Sequence, residues 1–143
     1  MRLDNSRKKY AFTLTELLIV VIIISVMAAF TIPNYSRSIE RSHRRDAETQ
    51  LTTIWSANQV YRAQYGSYWP PNNNGGPGYD ITAINSNLGL GIIPNGMTYN
   101  CTSVAANTFT CTAVRQPASS FTITVTQAQI GGSNPACTAG TCP

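Results

Sequence analysis

Residues 11–35 read AFTLTELLIVVIIISVMAAFTIPNY, and this stretch decides what kind of chain it belongs to. From Phe12 to Ile32 there are 21 residues with a single charge, Glu16. As a helix the run is ~31 Å long, about the thickness of a bilayer's hydrocarbon core, which predicts a membrane-spanning segment. A basic leader precedes it, with Arg2, Arg7, Lys8 and Lys9 against Asp4. An ordinary secretory signal peptide is the alternative. Val26 and Ala28 satisfy the small-residue rule for cleavage after Ala28, which would release a secreted binding domain.

Glu16 weighs against that alternative, because a signal-peptide core gains nothing from a carboxylate. Within a membrane helix such a charge costs ~2.5–3.5 kcal/mol even on the permissive insertion scale, so it calls for a partner. Before Arg37 the basic side chains all lie in the leader. The partner is therefore Lys9, interfacial water or a group created by processing. A carboxylate that simply snorkels to the headgroups is the plainer alternative.

The rest of the 143 residues suffice for one further domain. After Glu48 the charged residues are Arg62, Asp80 and Arg115, three in 95, and no lysine follows Lys9. Such a neutral, Thr- and Asn-rich composition suits an exported surface. From Phe12 onward six basic and five acidic side chains sum to +1, so the pI of about 9.0 belongs to the leader and gives no support to a specific nucleic-acid partner. All four cysteines, Cys101, Cys111, Cys137 and Cys142, lie beyond the apolar run, which points to disulfides in an oxidising compartment.

Residues 34–65 continue as an amphipathic helix, with Ala47, Leu51, Ile54, Tyr61 and Tyr65 as one apolar stripe. Glu40 and Arg44 stand in the favourable i,i+4 order, and Arg44 also reaches Glu48. Gly66 is the expected stop. Arg37, Arg41, Arg44 and Arg45 form a basic face, read as a solvated surface near acidic headgroups. Residues 66–96 form a long Gly-, Pro- and Asn-rich loop in which Asp80 can cap a short helix carrying Ile81, Ile84 and Leu88. Tyr68 and Trp69 either pack this loop or form an adhesive patch.

Three strands are expected after it. Met97, Tyr99 and Cys101 share one parity with Phe109, Cys111 and Ala113 across a turn at Ala106-Asn107, a register that sets Cys101 opposite Cys111. Ser120–Gln127 alternates between Phe121, Ile123, Val125 and three threonines. Four cysteines permit three connectivities, and the shared parity favours Cys101–Cys111 with Cys137–Cys142 over pairing of the tail to the hairpin.

No catalytic constellation is present. His43 is the only histidine, the cysteine spacings lack metal-motif form, and no phosphate loop or nucleophile elbow occurs. Asp80 is the one carboxylate beyond Glu48, a poor basis for calcium. The expectation is a non-enzyme with no cofactor and no metal.

Ala11-Phe12-Thr13-Leu14-Thr15-Glu16-Leu17-Leu18, after a short basic leader and before a long Ile/Val run, resembles the class III signal of type IV pilins. The resemblance is specific over residues 7–35 and architectural beyond them. It implies that a prepilin peptidase cuts between Ala11 and Phe12, although the family usually has Gly where this chain has Ala11. The Phe12 amine is then methylated, and Glu16 meets that amine on a neighbouring subunit during assembly. Pro33 falls where members commonly carry a helix-loosening proline.

The implied organisation is a leader at 1–11, a transmembrane and filament-core helix at 12–33 and an exported globular domain at 34–143. The fold class is α+β, a long helix packed in its second half on a small antiparallel sheet. The implied function is a structural pilus subunit serving attachment, twitching motility or DNA uptake. Its implied partners are other pilin subunits, the prepilin peptidase, an inner-membrane platform protein and an assembly ATPase. It would be held in the bacterial inner membrane, N-terminus cytoplasmic, before assembly and lie in the extracellular pilus afterwards. A type II secretion pseudopilin is the alternative within the resemblance. The major pseudopilin has a calcium loop near its C-terminus, whereas no acidic residue follows Asp80 in this chain. A membrane-tethered domain that does not assemble stands outside it.

Overall fold

Thr13 starts the first helix by a reciprocal cap. Its hydroxyl accepts from the Glu16 amide at 3.3 Å, while Glu16 Oε2 accepts from the Thr13 amide at 2.9 Å and from its hydroxyl at 2.7 Å. This is a capping box, threonine at the cap and glutamate three residues on. The computed structural model describes residues 12–74, 76–105, 107–116, 121–140 and 142, and of residues 31–34 the backbone only. Ala11, the leader and Ala106 of the expected hairpin turn lie outside the described residues.

Helix α1 runs Leu14–Tyr65, so Pro33 lies within the helix rather than at its end. The chain divides into two compact units, one ending at Ser38 and the other beginning at Ile39. In the first unit the apolar side chains of α1 are uncovered, with Leu17 60%, Ile24 59% and Phe30 73% exposed. Its most apolar 18-residue window has a mean hydropathy of 2.5, and α1 is the one helix among the described residues long and apolar enough to cross a membrane.

In the second unit α1 buries Ala47, Leu51, Ile54 and Asn58, spaced 4, 3 and 4 along one face. The expected stripe is thus corrected at its end. Tyr65 is 68% exposed and stacks on half-buried Tyr61 at 4.5 Å, and the buried position one turn earlier belongs to a polar residue. Gly66 stops the helix at φ +79°, its amide donating to Arg62 O at 2.8 Å.

The loop leads into β1 (Tyr79–Asp80), α2 (Ile81–Leu88), β2 (Met97–Thr102), β3 (Thr110–Arg115), β4 (Phe121–Thr126) and β5 (Ala136–Gly140). The five strands form one antiparallel sheet in sequence order. Two of them, β1 and β5, go beyond the three that the alternation indicates. Asp80 caps α2 by accepting from the Ala83 amide at 3.0 Å, and Gly89 closes it in the left-handed conformation.

Inward positions of the sheet alternate cleanly: Met97, Tyr99 and Cys101, then Cys111 and Ala113, then Phe121, Ile123 and Val125. With Leu51, Ile54 and Ile84 they make one core, each large aliphatic or aromatic residue contributing ~1.5–3 kcal/mol by burial. Cys101 stands opposite Cys111 and is joined to it, Cα atoms 4.1 Å apart, while Cys137 on β5 is joined to Cys142.

Tyr68 and Trp69 are 7% and 3% exposed, which removes the adhesive-patch option. Tyr68 packs edge-on against Phe109 at 5.1 Å, and the Trp69 amide donates to Asn58 Oδ1 at 2.8 Å. Further asparagines do similar work. Asn85 Oδ1 accepts from the Ile92 amide at 2.9 Å while its Nδ2 donates to Ile92 O at 3.0 Å. Asn134 Nδ2 donates to Ala128 O at 2.7 Å and its Oδ1 accepts from the Thr126 amide at 3.1 Å. The backbone of the irregular segments is satisfied by side-chain amides in place of ladders.

Candidate functional site

The features open to a role fall into the two units separately. In the first unit they are Phe12 and Glu16 on an uncovered apolar helix. Phe12 is 82% exposed. Both Thr13 bonds to Glu16 are taken by Oε2. The carboxylate thus has a partner within its own first turn, which the partners weighed from the sequence did not include. The signal for it, threonine three residues before glutamate, is present at Thr13-Leu14-Thr15-Glu16.

In the second unit the charges are mostly engaged. Arg115 places Nε 3.0 Å from Glu40 Oε2 and Nη2 3.0 Å from Glu40 Oε1, a two-pronged pair between β3 and α1. The same guanidinium donates to Gly96 O at 2.8 Å and to Gln116 O. Glu40 is therefore held by a residue 75 positions away in sequence, which local i,i+4 spacing does not reveal. Arg44 pairs with Glu48 at 2.8 Å. Arg62 donates to the Tyr68 hydroxyl at 2.9 Å and lies 4.9 Å from that ring's centre.

The hydrogen bond from Arg115 is the first cause that holds the Glu40 carboxyl below its ordinary range, against some desolvation. A depressed carboxylate adds stability above its unfolded pKa of about 4.3 and loses it as pH falls through the folded value. Glu40→Gln should cost about 1 kcal/mol near pH 7, a figure kept low because the Glu40 side chain is 35% exposed. Thermal melts at pH 7 and pH 3 check this: the gap between the two proteins should close in acid. A gap unchanged by pH would show that the pair carries no charge-dependent stability.

A cleft of about 860 Å³ opens between α1 and the β4–β5 connection, lined by Arg45, Thr49, Thr53 and Ser56 on one side and Gly131 and Pro135 on the other. Those hydroxyls donate to backbone carbonyls four residues earlier, at 2.9 Å from Thr49, 3.0 Å from Thr53 and 3.0 Å from Ser56. Their protons are spent on the helix itself, so these hydroxyls are left to accept, beside the exposed cation Arg45. Burial, and then Asp46, push the Tyr99 phenol up to about 12, so it stays neutral in the core. Among the described residues no group of three His, Cys, Asp or Glu side chains stands together as a metal site. Among the described residues the geometry is one of packing, with side-chain amides and arginines tying loops and strands to α1.

Comparison with known proteins agrees with that geometry. Residues 6–32 match the prokaryotic N-terminal methylation motif. The chain is similar to the type IV major pilin protein PilA of Myxococcus xanthus, 38% identical over 64 residues, covering 45% of this chain and 29% of that one. It is also similar to the type II secretion system core protein G of Vibrio cholerae, 30% identical over 73 residues, covering 51% of this chain and 49% of that one. The corresponding Escherichia coli protein is 28% identical over 68 residues, 48% of this chain and 46% of that one. The chain thus spans half or less of the length of these curated relatives. No solved structure matches it at the same standard. Residues 33–141, well over half of the chain, match the family described as "Type IV minor pilin ComP, DNA uptake sequence receptor", and the chain belongs to that family of pilins.

Proposed function

We propose that the chain is a structural subunit of a type IV pilus, inserted in the inner membrane before assembly and stacked helix against helix afterwards. The observation that carries this is the uncovered apolar surface of α1, with side chains from Leu14 to Phe30 roughly half exposed or more. A contiguous apolar surface of that size in water would mark an interaction site, and lipid and neighbouring helices are the two environments that cover it. The proposal extends to the leader at 1–11, the filament-core helix at 12–33 and the exported domain at 34–143. It includes cleavage between Ala11 and Phe12, methylation of the Phe12 amine, and delivery by a platform protein and assembly ATPase. Pro33 would loosen α1 on assembly, having no amide to donate. The family is structural, and no enzymatic role is proposed.

The family description favours a second reading, in which the pilus takes up DNA. In the second unit the cations that could meet phosphates are Arg41 and Arg45, both exposed on α1, since Arg62 and Arg115 are engaged. The sheet adds no lysine or arginine besides Arg115, so the structural role leads.

Sheared surface filaments test both. Intact-mass and N-terminal peptide analysis should find this chain beginning at Phe12 with an added methyl group. A chain beginning at Ala29, or an uncut one in filaments, overturns the processing. The same filaments titrated with duplex DNA at rising salt separate the second reading, because two phosphate contacts give a log–log slope of about −2. Absence of DNA retention at low salt removes it.

A further inference from the structure

The two disulfides differ in how far each is open to attack by a thiol. Cys101 and Cys111 are both 0% exposed and belong to the core shared by Tyr99, Phe109 and Val125. Each strand that carries them is paired on both sides, Cys101 with Tyr79 and Cys111, Cys111 with Cys101 and Val125. Cys137 is half-buried on β5, the edge strand, which pairs only with β4 in the sheet, and Cys142 is exposed. The Cys137–Cys142 bridge closes a sequence separation of 5 and the other one of 10. None of the four cysteines is free, so the folded oxidised chain holds no thiol that could start an exchange from within.

We propose that Cys137–Cys142 is a thiol–disulfide exchange site, opened by an external dithiol while Cys101–Cys111 stays closed. Exchange needs a thiolate to reach a disulfide sulfur, and access sets the rate once thiolate is available. The dithiol's thiolate attacks the exposed Cys142 Sγ. A bond forms between the two sulfurs as the Cys142–Cys137 bond breaks, and the departing electron pair goes to Cys137 Sγ, which takes a proton. The second thiolate of the dithiol then attacks its own sulfur in the mixed disulfide. Cys142 leaves as a thiol, and the reagent departs as a cyclic disulfide. The chain gains two electrons and two protons.

The fold outlasts the opening. β5 stays registered on β4 through the Phe121–Gly140, Thr122–Ala139, Ile123–Cys137 and Thr124–Ala136 pairs, and Thr124 and Thr138 share a hydroxyl bond at 2.8 Å. Cys137 has Ala139 O 3.9 Å from its sulfur, a ready acceptor for the new thiol. What opening releases is the tie between Cys137 and Cys142.

The test uses the full chain in detergent micelles. Dithiothreitol is added under native conditions, samples are alkylated with iodoacetamide over time, and peptides are mapped by mass. Cys137 and Cys142 should be labelled at least about tenfold faster than Cys101 and Cys111, which should react only after guanidinium is added. Circular dichroism should stay unchanged while the first pair is labelled. Equal rates, earlier labelling of Cys101 and Cys111, or no native labelling at a dose that reduces both bridges in guanidinium would each overturn it. A Cys137→Ser/Cys142→Ser variant, folded by the same spectrum, should consume no dithiol in the native state. Native consumption by that variant counts against the assignment.

Discussion

Glu16→Gln is expected to reduce the yield of sheared filaments about tenfold or more, the change that ~1.4 kcal/mol of lost pairing produces. Glutamine serves at the third position of a capping box as glutamate does, so the variant keeps the Thr13 bonds that start α1 and removes only the charge. Loss of helix is therefore not a competing explanation for a drop in assembly. Insertion should be unchanged or improved, because a neutral amide costs less than a carboxylate at membrane depth. The methylated Phe12 amine of a neighbour is the proposed partner, and attraction between opposite charges grows as dielectric falls, with burial offsetting part of the gain. Membrane abundance, N-terminal mass and filament yield are read on one strain. Normal yield with normal processing would reduce Glu16 to a helix cap.

Asn58→Ala is expected to destabilise the second unit by about 2–4 kcal/mol, combining a lost buried hydrogen bond with a small cavity. Asn58 is 0% exposed, and its Oδ1 is the acceptor for the Trp69 amide, which the variant leaves buried without that partner. The effect should concentrate at the start of the long loop, since Trp69 and Tyr68 are the residues it anchors. Denaturant titrations of variant and parent measure it, and a loss under about 0.5 kcal/mol would mean the loop is held by Tyr68–Phe109 packing instead.

The parts of the fold legible in the sequence are those set by periodicity and local chemistry. The 21-residue apolar run, the 47/51/54 spacing, the Gly66 stop, the Asp80 cap and the alternation in β2, β3 and β4 each carry their own signal. What was hidden depends on partners far along the chain. β1 has two residues and β5 reads ACTAG, with one strand-favouring side chain each, Tyr79 and Thr138, so neither shows an alternation of its own and each pairs with a neighbouring edge. Glu40 has an arginine at the local spacing and takes one from β3. Asn58 reads as a break in the apolar stripe, yet it is buried because the loop needs an acceptor at that point. The high asparagine content, which composition marks only as loop, is in part the means by which the loops are tied down.

The two tryptophans of the chain sit in different settings and so report different events. Trp55 is half-buried on α1 with its indole Nε1 donating to Ala128 O at 2.8 Å, a tie to the segment between β4 and β5. Trp69 is almost fully covered at the start of the long loop, its ring 5.2 Å from Tyr79. Indole emission shifts to the red and its quenching by iodide rises as water reaches the ring. Detachment of the β4–β5 connection would alter Trp55 and leave Trp69 dark to the quencher, whereas release of the loop would do the reverse. A single-tryptophan pair, Trp55→Phe and Trp69→Phe, turns the native chain into two separate optical gauges of how its surface segments let go.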